Sequence, residues 1–401
     1  MKFPYYRLIR LMMTVGCAAI FVIFFVLNIV GVYKNWSIGD IWRGDFFAFW
    51  SYSKFIFQRP FPEIYDNDIL TDFQENLGAR PKYFLPYAYP PFFLFYILPL
   101  GVLSYYLAYL LWTIGSGYFY FLVSVNRQLS RYTVFLTIFA PATITSLATG
   151  QTGLLSSALI AGGFRAVTTR PVLSGVFFGL ASFKPQLGIL IPIALISARL
   201  WQTLAVACAT ILTLVLASSL VFGWSMWPLW FAKLLSHADW VMDVKDRYNP
   251  TITSSLTSIG IDLAVARTVQ AGVGLLVAIT IWVVFRNGVT ILTNALLFVG
   301  TFLATPYAIV YDMPLLTNAV LAIFRYEEQT SRILTIPELI ILAATLLLPI
   351  IMVATWRPAP FRSIPLILLF GLIVWRIVRD RRDFAQSEAA PPKETACVRG
   401  Q

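Results

Sequence analysis

Twelve apolar runs divide this sequence, and most of the short loops between them carry arginine. This pattern constrains the fold strongly, because a backbone inside a bilayer must satisfy its hydrogen bonds internally, as helices do. Only 12% of the residues are charged, whereas soluble domains carry about 25%. The sequence therefore predicts an all-α polytopic membrane protein. The runs lie at about Leu11 to Val32 and at 90–125, 132–148, 153–164, 171–183, 186–198, 201–222, 265–285, 289–305, 313–324, 333–355 and 363–378.

The number of crossings follows from the run lengths and the charges between the runs. A helix needs about 20 residues to cross the hydrocarbon, and several runs are shorter. Run 90–125 is long enough for two crossings, yet its flanking arginines demand an odd number. We therefore expect one crossing plus a half-span or re-entrant piece there, and about 12 spans in a single transmembrane domain over residues 1–378.

The loop charges predict the orientation, since short cytoplasmic loops carry an excess of lysine and arginine. Both termini are expected in the cytoplasm, the last part being a disordered tail at 379–401. Two loops, 33–88 and 223–263, then face the outside. The net charge of +11 lies in the short loops and the tail, so no nucleic-acid partner is predicted. The arginines assigned to the cytoplasm are Arg127, Arg131, Arg165, Arg170, Arg199, Arg286, Arg325 and Arg332.

The first outer loop has the composition of a small folded platform. Its acidic and basic residues are nearly balanced, and aromatic residues are spaced along it. The stretches FFAFWSYSKFIF and YDNDILTDFQENL each predict a short amphipathic helix with its apolar side toward the membrane interface.

Five segments, in order, carry a family resemblance: GDFFAFW, YAYPPFFLFYILPLGVL, ATGQTGLLSSALIAGG, SGVFFGLASFKPQLGILIPIALI and ATPYAIVYDMPLL. Over roughly residues 40–320 the series resembles glycosyltransferase family 87 of the GT-C membrane enzymes. The resemblance implies a GT-C fold. It also implies transfer of a hexose, mannose first, from a polyprenyl-phosphate carrier to a lipid or glycan acceptor. Such transfer takes place on the outer face of the bacterial inner membrane, uses no nucleotide sugar and calls for no cofactor.

Asp45 is the acid that matches the catalytic base which GT-C enzymes carry in the first outer loop. Transfer needs such a base to take the proton of the attacking hydroxyl. The alternative is structural: an acid after glycine and before an apolar run is well placed to cap the helix that begins at Phe46.

Lys184, Gln151 and Arg43 are the candidates for holding the donor phosphate. Lys184 lies in a glycine-rich apolar stretch, where a charge is costly unless it is paired or reaches water. Gln151 stands at a helix break, and such breaks are tolerated only inside protein or beside water. The alternatives are a snorkelling lysine at a helix end and an ordinary polar turn.

Aromatic and acidic residues near the membrane surface complete the predicted site. Tyr89, Tyr307 and Tyr311 are candidates for sugar or lipid contact, the alternative being an interfacial aromatic belt. Asp312 is a second candidate acid, or a helix cap. His237 is a candidate on the acceptor side, or a solvated histidine. Metal binding is not indicated, although Asp66, Asp68 and Asp72 form an acidic cluster.

Two other functions fit parts of the sequence. Secondary transporters and flippases also use broken helices, but we find no internal repeat, and the candidate polar residues gather at one face. A non-catalytic protein of envelope polysaccharide assembly fits if Asp45 is only a helix cap.

Overall fold

The computed structural model describes residues 15, 16, 19 and 22 and ranges 45–79, 85–125, 131–234, 248–330, 334–354 and 359–389. All regular elements within these residues are helices, as the sequence predicts. The α-helices are α1 (Phe46–Gln58), α2 (Asn67–Asn76), α3 (Leu94–Ile97), α4 (Tyr105–Ser124), α5 (Arg131–Phe139), α6 (Pro141–Thr149), α7 (Gly153–Ala166), α8 (Pro171–Ala181), α9 (Pro185–Gly188), α10 (Ile191–Ser197), α11 (Trp201–Phe222), α12 (226–234), α13 (Ile252–Thr257), α14 (Leu263–Phe285), α15 (Ile291–Ala304), α16 (Pro314–Thr330), α17 (Ile336–Ala354) and α18 (Ile364–Ala389). Short 3₁₀ helices lie at Phe61–Tyr65, Pro91–Phe93, Leu98–Val102, Val310–Asp312 and Pro360–Ser363.

Five of the described helical segments are long and apolar enough to cross a membrane. They include α4, α11 and α14, and they expose large apolar side chains such as Leu216 and Leu275. Other apolar helices, such as α7 and α8, have between 10 and 17 residues. These features are those of a polytopic membrane protein, and the count of about 12 spans remains a prediction. The five segments are Tyr105–Ser124, Trp201–Phe222, Leu263–Phe285, Ile336–Val353 and Pro360–Asp383.

The run at 90–125 divides into one long helix and one short piece, as its flanking charges require. Pro91–Val102 forms a short helical segment, and α4 follows with 20 residues. Helix α1 satisfies carbonyls in and after the short piece: the Trp50 indole donates to the Leu103 carbonyl at 3.1 Å, and Ser53 donates to the Leu98 carbonyl at 2.9 Å. The irregular backbone is therefore stabilised by protein contacts.

Helix α1 differs from its predicted position at the membrane interface. Phe46, Phe49 and Phe55 are at most 1% exposed, and the ring of Phe46 lies 5.3 Å from that of Tyr109 on α4. The reason is that α1 carries aromatic residues around its whole circumference, so no side of it is polar enough to face water. Most of the stretch FFAFWSYSKFIF therefore forms part of the protein core, whereas its last residue, Phe57, is 54% exposed.

Helix α2 has the predicted amphipathic character. Leu70 and Phe73 are buried, whereas Asp68 and Asp72 are exposed. The Asp66 carboxylate caps the helix by accepting from the backbone N–H groups of Asp68 at 2.9 Å and Ile69 at 3.1 Å. The acidic cluster of this region is thus explained by a helix cap and a solvated face.

The helices place arginines and candidate site residues at opposite ends of the bundle. Helix α7 begins two residues after Gln151 and reaches Arg165 near its end. Helix α8 runs the other way, from Arg170 toward Lys184. The two pack closely, because Gly163 on α7 lies against the ring of Phe178 on α8. In these two helices the arginines and the candidate site residues therefore lie at opposite ends, and the orientation in the membrane remains a prediction.

The last helix extends further than the sequence predicts. The tail is expected to be disordered from residue 379, yet α18 continues to Ala389. Two side chains fix it against the bundle: Asp380 accepts a hydrogen bond from Tyr326, and Arg381 donates to the Val284 carbonyl at 3.1 Å. Tertiary contacts thus hold a segment whose composition alone indicates disorder.

Candidate active site

A cleft of about 760 Å³, including its open mouth, lies at the end of the bundle remote from the arginines of α7 and α8. Seven of its 18 lining residues are aromatic, and its polar residues come from separate parts of the chain. The aromatic residues are Phe49, Tyr52, Tyr89, Phe183, Trp230, Tyr307 and Tyr311, and the polar ones are Gln151, Lys184, Gln186 and Asp312. Six residues predicted from sequence therefore line one space: Tyr89, Gln151, Lys184, Tyr307, Tyr311 and Asp312.

Asp45 borders this cleft through a hydrogen bond to a residue that lines it. Its Oδ2 accepts from the side-chain Nε2 of Gln151 at 3.1 Å, across 106 positions of sequence. Asp45 does occupy the position before α1, but its side chain makes no capping hydrogen bond to that helix. The helix-cap alternative therefore does not account for the carboxylate.

Gln151 is held by the break between α6 and α7. Gly150 adopts a left-handed conformation with φ of 65°, which glycine accepts without strain, and its carbonyl accepts from the indole of Trp112 at 2.9 Å. The side chain of Gln151 is 6% exposed, and its Oε1 is buried without a hydrogen-bond partner among the described residues. This oxygen can therefore accept a hydrogen bond from a hydroxyl group of a ligand.

Lys184 and Asp312 form a buried ion pair on another wall of the cleft. Lys184 Nζ lies 2.5 Å from Asp312 Oδ1 and 5.0 Å from the centre of the Tyr311 ring. The other oxygen of Asp312 accepts from the Ile309 backbone N–H at 3.3 Å. Both side chains are at most 5% exposed, so Lys184 does not snorkel to water, and Asp312 does more than cap a turn.

The hydroxyls of Tyr89 and Tyr311 in the cleft are neutral donors. Burial raises the pKa of Tyr311, and the carboxylates of Asp312 and Asp45 raise it further. Burial likewise raises the pKa of Tyr89, whose hydroxyl lies 3.5 Å from that of Thr152. A neutral phenol can donate to a sugar or phosphate oxygen over the whole physiological range.

The Gln151 and Asp312 segments meet at the backbone carbonyl of Tyr311. The side-chain hydroxyl of Ser146 donates to that carbonyl at 2.7 Å, and a Cβ added to Gly153 would lie 1.6 Å from the same oxygen. Because the backbone fixes both the added Cβ and the carbonyl oxygen, no side-chain rotation can relieve such a clash. Glycine at 153 therefore sets the spacing between the two segments.

Replacing Gly153 with alanine is expected to destabilise the protein by at least about 1–3 kcal/mol, the usual cost of overpacking. Thermal unfolding of the purified protein measures the effect. The matched control is Gly272→Ala on α14, where nothing lies within 4 Å of the added Cβ. Equal midpoints for the two variants would contradict the close approach.

The predictions for Arg43 and His237 stay predictions. Arg43 and His237 lie outside the described residues. Among the residues described, no group of three or more His, Cys, Asp or Glu side chains is placed to hold a metal ion.

The sequence reasoning missed Trp230 and Gln186. Trp230 on α12 is 9% exposed and donates to the Ala88 carbonyl at 3.2 Å, so it forms one wall. Gln186 stands two positions after Lys184 and also lines the cleft. Gln186 could have been predicted from its position two residues after the candidate cation Lys184. Trp230 is one of several tryptophans, and no sequence feature distinguishes it from the others.

The comparison with known families decides the class of this protein. A model of glycosyltransferase family 87 matches residues 87–306, more than half of the 401 residues. The chain belongs to glycosyltransferase family 87. The family 87 match includes Tyr89, Gln151 and Lys184, whereas Asp45 and Asp312 lie outside it. No curated protein and no solved structure matches the chain.

Family 87 membership makes this chain a membrane glycosyltransferase, with a sugar donor and an acceptor as its substrates. It sets aside the transporter and non-catalytic assembly alternatives. The resemblance seen in the motifs is thereby confirmed at the level of the family.

Proposed function

We propose that this family 87 glycosyltransferase moves a hexose from a polyprenyl-phosphate carrier to a hydroxyl of a lipid or glycan acceptor. The proposal is supported by a single cleft. The Asp45–Gln151 hydrogen bond lies at its edge, and the Lys184–Asp312 ion pair lines it. A base and a cation at one space are what transfer from a sugar phosphate requires.

Asp45 is assigned the role of base. It takes the proton of the acceptor hydroxyl while the acceptor oxygen forms its bond to the anomeric carbon. The bond from that carbon to the phosphate oxygen breaks at the same time, and the electron pair leaves with the phosphate. Gln151 acts as a positioning residue, since its N–H fixes one carboxylate oxygen of Asp45.

Lys184 is assigned to the departing phosphate, whose negative charge grows in the transition state. Asp312 holds the ammonium in place from the protein side. The ring of Tyr311 at 5.0 Å gives the cation a second fixed neighbour. Because Asp312 is engaged by Lys184 and by the Ile309 N–H, we assign no nucleophilic role to it. A single base predicts one displacement with inversion at the anomeric carbon.

An apolar groove beside the cleft supports a lipid-borne donor. It has a volume of about 1070 Å³ and lies between α10, α13, α14 and α15. Its lining includes Pro306, the residue before Tyr307 of the cleft, and Ile189 and Leu190, which follow Gln186 of the cleft in sequence. A hydrocarbon chain in this groove would place an attached phosphate near Lys184. The lining residues are Ile189, Leu190, Ile193, Thr253, Arg267, Gln270, Ala271, Gly274, Leu275, Ala278, Ala304 and Pro306.

The location at the outer face of the bacterial inner membrane is part of the proposal. It is supported by the arginines at the ends of α7 and α16, opposite the cleft, because basic residues mark the cytoplasmic side. Mannose is the first sugar to test, on the strength of the family resemblance alone.

Transfer by the purified protein in liposomes tests the donor class. The donors compared are polyprenyl-phosphate-linked mannose, glucose, galactose and the pentose arabinose, and, separately, a nucleoside diphosphate mannose. A lipid extract and a glycan fraction serve as acceptors. We expect transfer from a lipid-phosphate donor alone, and none by Asp45→Asn. Transfer from the nucleotide sugar alone would refute the proposed donor.

A further inference from the structure

A second polar cavity lies at the arginine-bearing end of the bundle. It has a volume of about 1030 Å³ and is bounded by α4, α7, α15 and α16. Helix α7 separates it from the cleft, and its 14 residues span about 21 Å. The lining residues are Val123, Ala161, Phe164, Arg165, Thr168, Val289, Thr290, Ile291, Asn294, Phe298, Asn318, Ala322, Arg325 and Gln329.

Two guanidinium groups meet at this cavity, and its described lining contains no acidic residue. Both arginines also cap α4. Arg165 Nη1 donates to the Val123 carbonyl at 2.7 Å, and Arg325 Nη2 donates to the Ser124 carbonyl. A helix C-terminus carries only about half a negative charge. The α4 end therefore offsets only part of the two positive charges, and Glu328 on α16, outside the cavity lining, also interacts electrostatically with Arg325.

Hydrogen-bonding capacity also remains unused here. The Nε of Arg325 is buried and has no hydrogen-bond partner among the described residues. The Oδ1 of Asn294 on α15, which also lines the cavity, is in the same state. Capping of α4 leaves both atoms unexplained. An anion that also carries a hydroxyl, such as hydrogen phosphate or the phosphatidylglycerol headgroup, would accept from Arg325 and donate to Asn294.

We propose that this cavity binds a phosphate-type anion, either the headgroup phosphate of an anionic lipid or free phosphate. Arginine matches such a group because its planar fork can donate two parallel hydrogen bonds to phosphate oxygens. If this end faces the cytoplasm, anionic lipids are available to it.

The anion would join the ends of four helices, three of which have their opposite ends beside residues of the cleft. Gln151 precedes α7, Tyr307 follows α15 and Asp312 precedes α16. A ligand that binds only the folded state stabilises that state. Occupancy of the cavity should therefore make the bundle under the cleft more resistant to unfolding.

The full-length protein, purified in detergent and stripped of lipid, allows a direct test. Phosphatidylglycerol, phosphatidylcholine and inorganic phosphate are each added, and bound lipid is counted by native mass spectrometry while thermal unfolding is followed. We expect phosphatidylglycerol to bind at least about tenfold more tightly than phosphatidylcholine and to raise the unfolding midpoint. A rise with inorganic phosphate alone would identify free phosphate as the ligand, and no response to either phosphate-bearing anion would refute the proposal.

Asn294→Asp is the decisive variant, because it places a carboxylate in the cavity and leaves both arginine caps of α4 in place. We expect it to weaken anion binding about tenfold or more. The control is Arg286→Gln, which removes an exposed charge outside the cavity. Unchanged binding by Asn294→Asp, or an equal loss in both variants, would show that the anion does not occupy this cavity. Arg325→Lys, which keeps the charge but loses the fork, should bind more weakly than the wild type.

Discussion

Replacing Asp45 with asparagine is expected to lower the rate of sugar transfer by about 10²-fold or more, the range for loss of a positioned base. The asparagine oxygen can still accept from Gln151 Nε2, so the local structure should be kept. The initial rate in liposomes, at saturating donor and acceptor, measures the effect. Protein yield and the thermal midpoint should match those of the wild type.

The control for this substitution is Asp72→Asn, which neutralises an exposed acid on the neighbouring helix α2. Its transfer rate should stay within about twofold of the wild type, because an exposed group makes weak interactions. If Asp45→Asn retained comparable activity, the base would have to be sought elsewhere. A parallel loss in both variants would point to a general effect of removing negative charge from this part of the protein.

Replacing Asp312 with alanine should destabilise the protein by about 3–5 kcal/mol, because it leaves the Lys184 ammonium buried without its carboxylate. Replacing Lys184 with methionine should abolish sugar transfer, since the departing phosphate loses its cation. Thermal unfolding and the transfer rate are measured together on each variant.

The double variant Lys184→Met with Asp312→Leu separates folding from chemistry. Apolar replacement of a whole buried ion pair is often neutral for stability, so the midpoint should recover most of the loss. Transfer should stay absent, because the phosphate site has no cation. A double variant that is both stable and active would show that the pair serves the fold alone.

Some of this site could be predicted from sequence because its residues interrupt apolar runs. The ATGQTG and FKPQ breaks are visible against their surroundings, and both line the cleft. The pairing of Lys184 with Asp312 spans 128 positions, and no local pattern couples residues that far apart. The burial of α1 was missed for a related reason, since its partners Tyr89 and Tyr109 come from later segments.

The extent of α18 is a case in which composition predicts too little regular structure. Composition after residue 379 indicates a disordered tail, but contacts with Tyr326 and Val284 continue the helix. Propensity is a weak prior that tertiary contacts override.

The shortness of α7 and α8 has a consequence for the membrane itself. The 11 residues of α8 rise only about 16 Å, whereas the hydrocarbon layer is about 30 Å thick. With the Arg170 end at one interface, Lys184 lies well below the opposite one. With the proposed lipid-phosphate donor, the phosphate would have to descend past the headgroup plane, or the bilayer would have to thin around these helices. We therefore expect transfer to depend on bilayer thickness, with shorter acyl chains bringing the donor closer to Lys184.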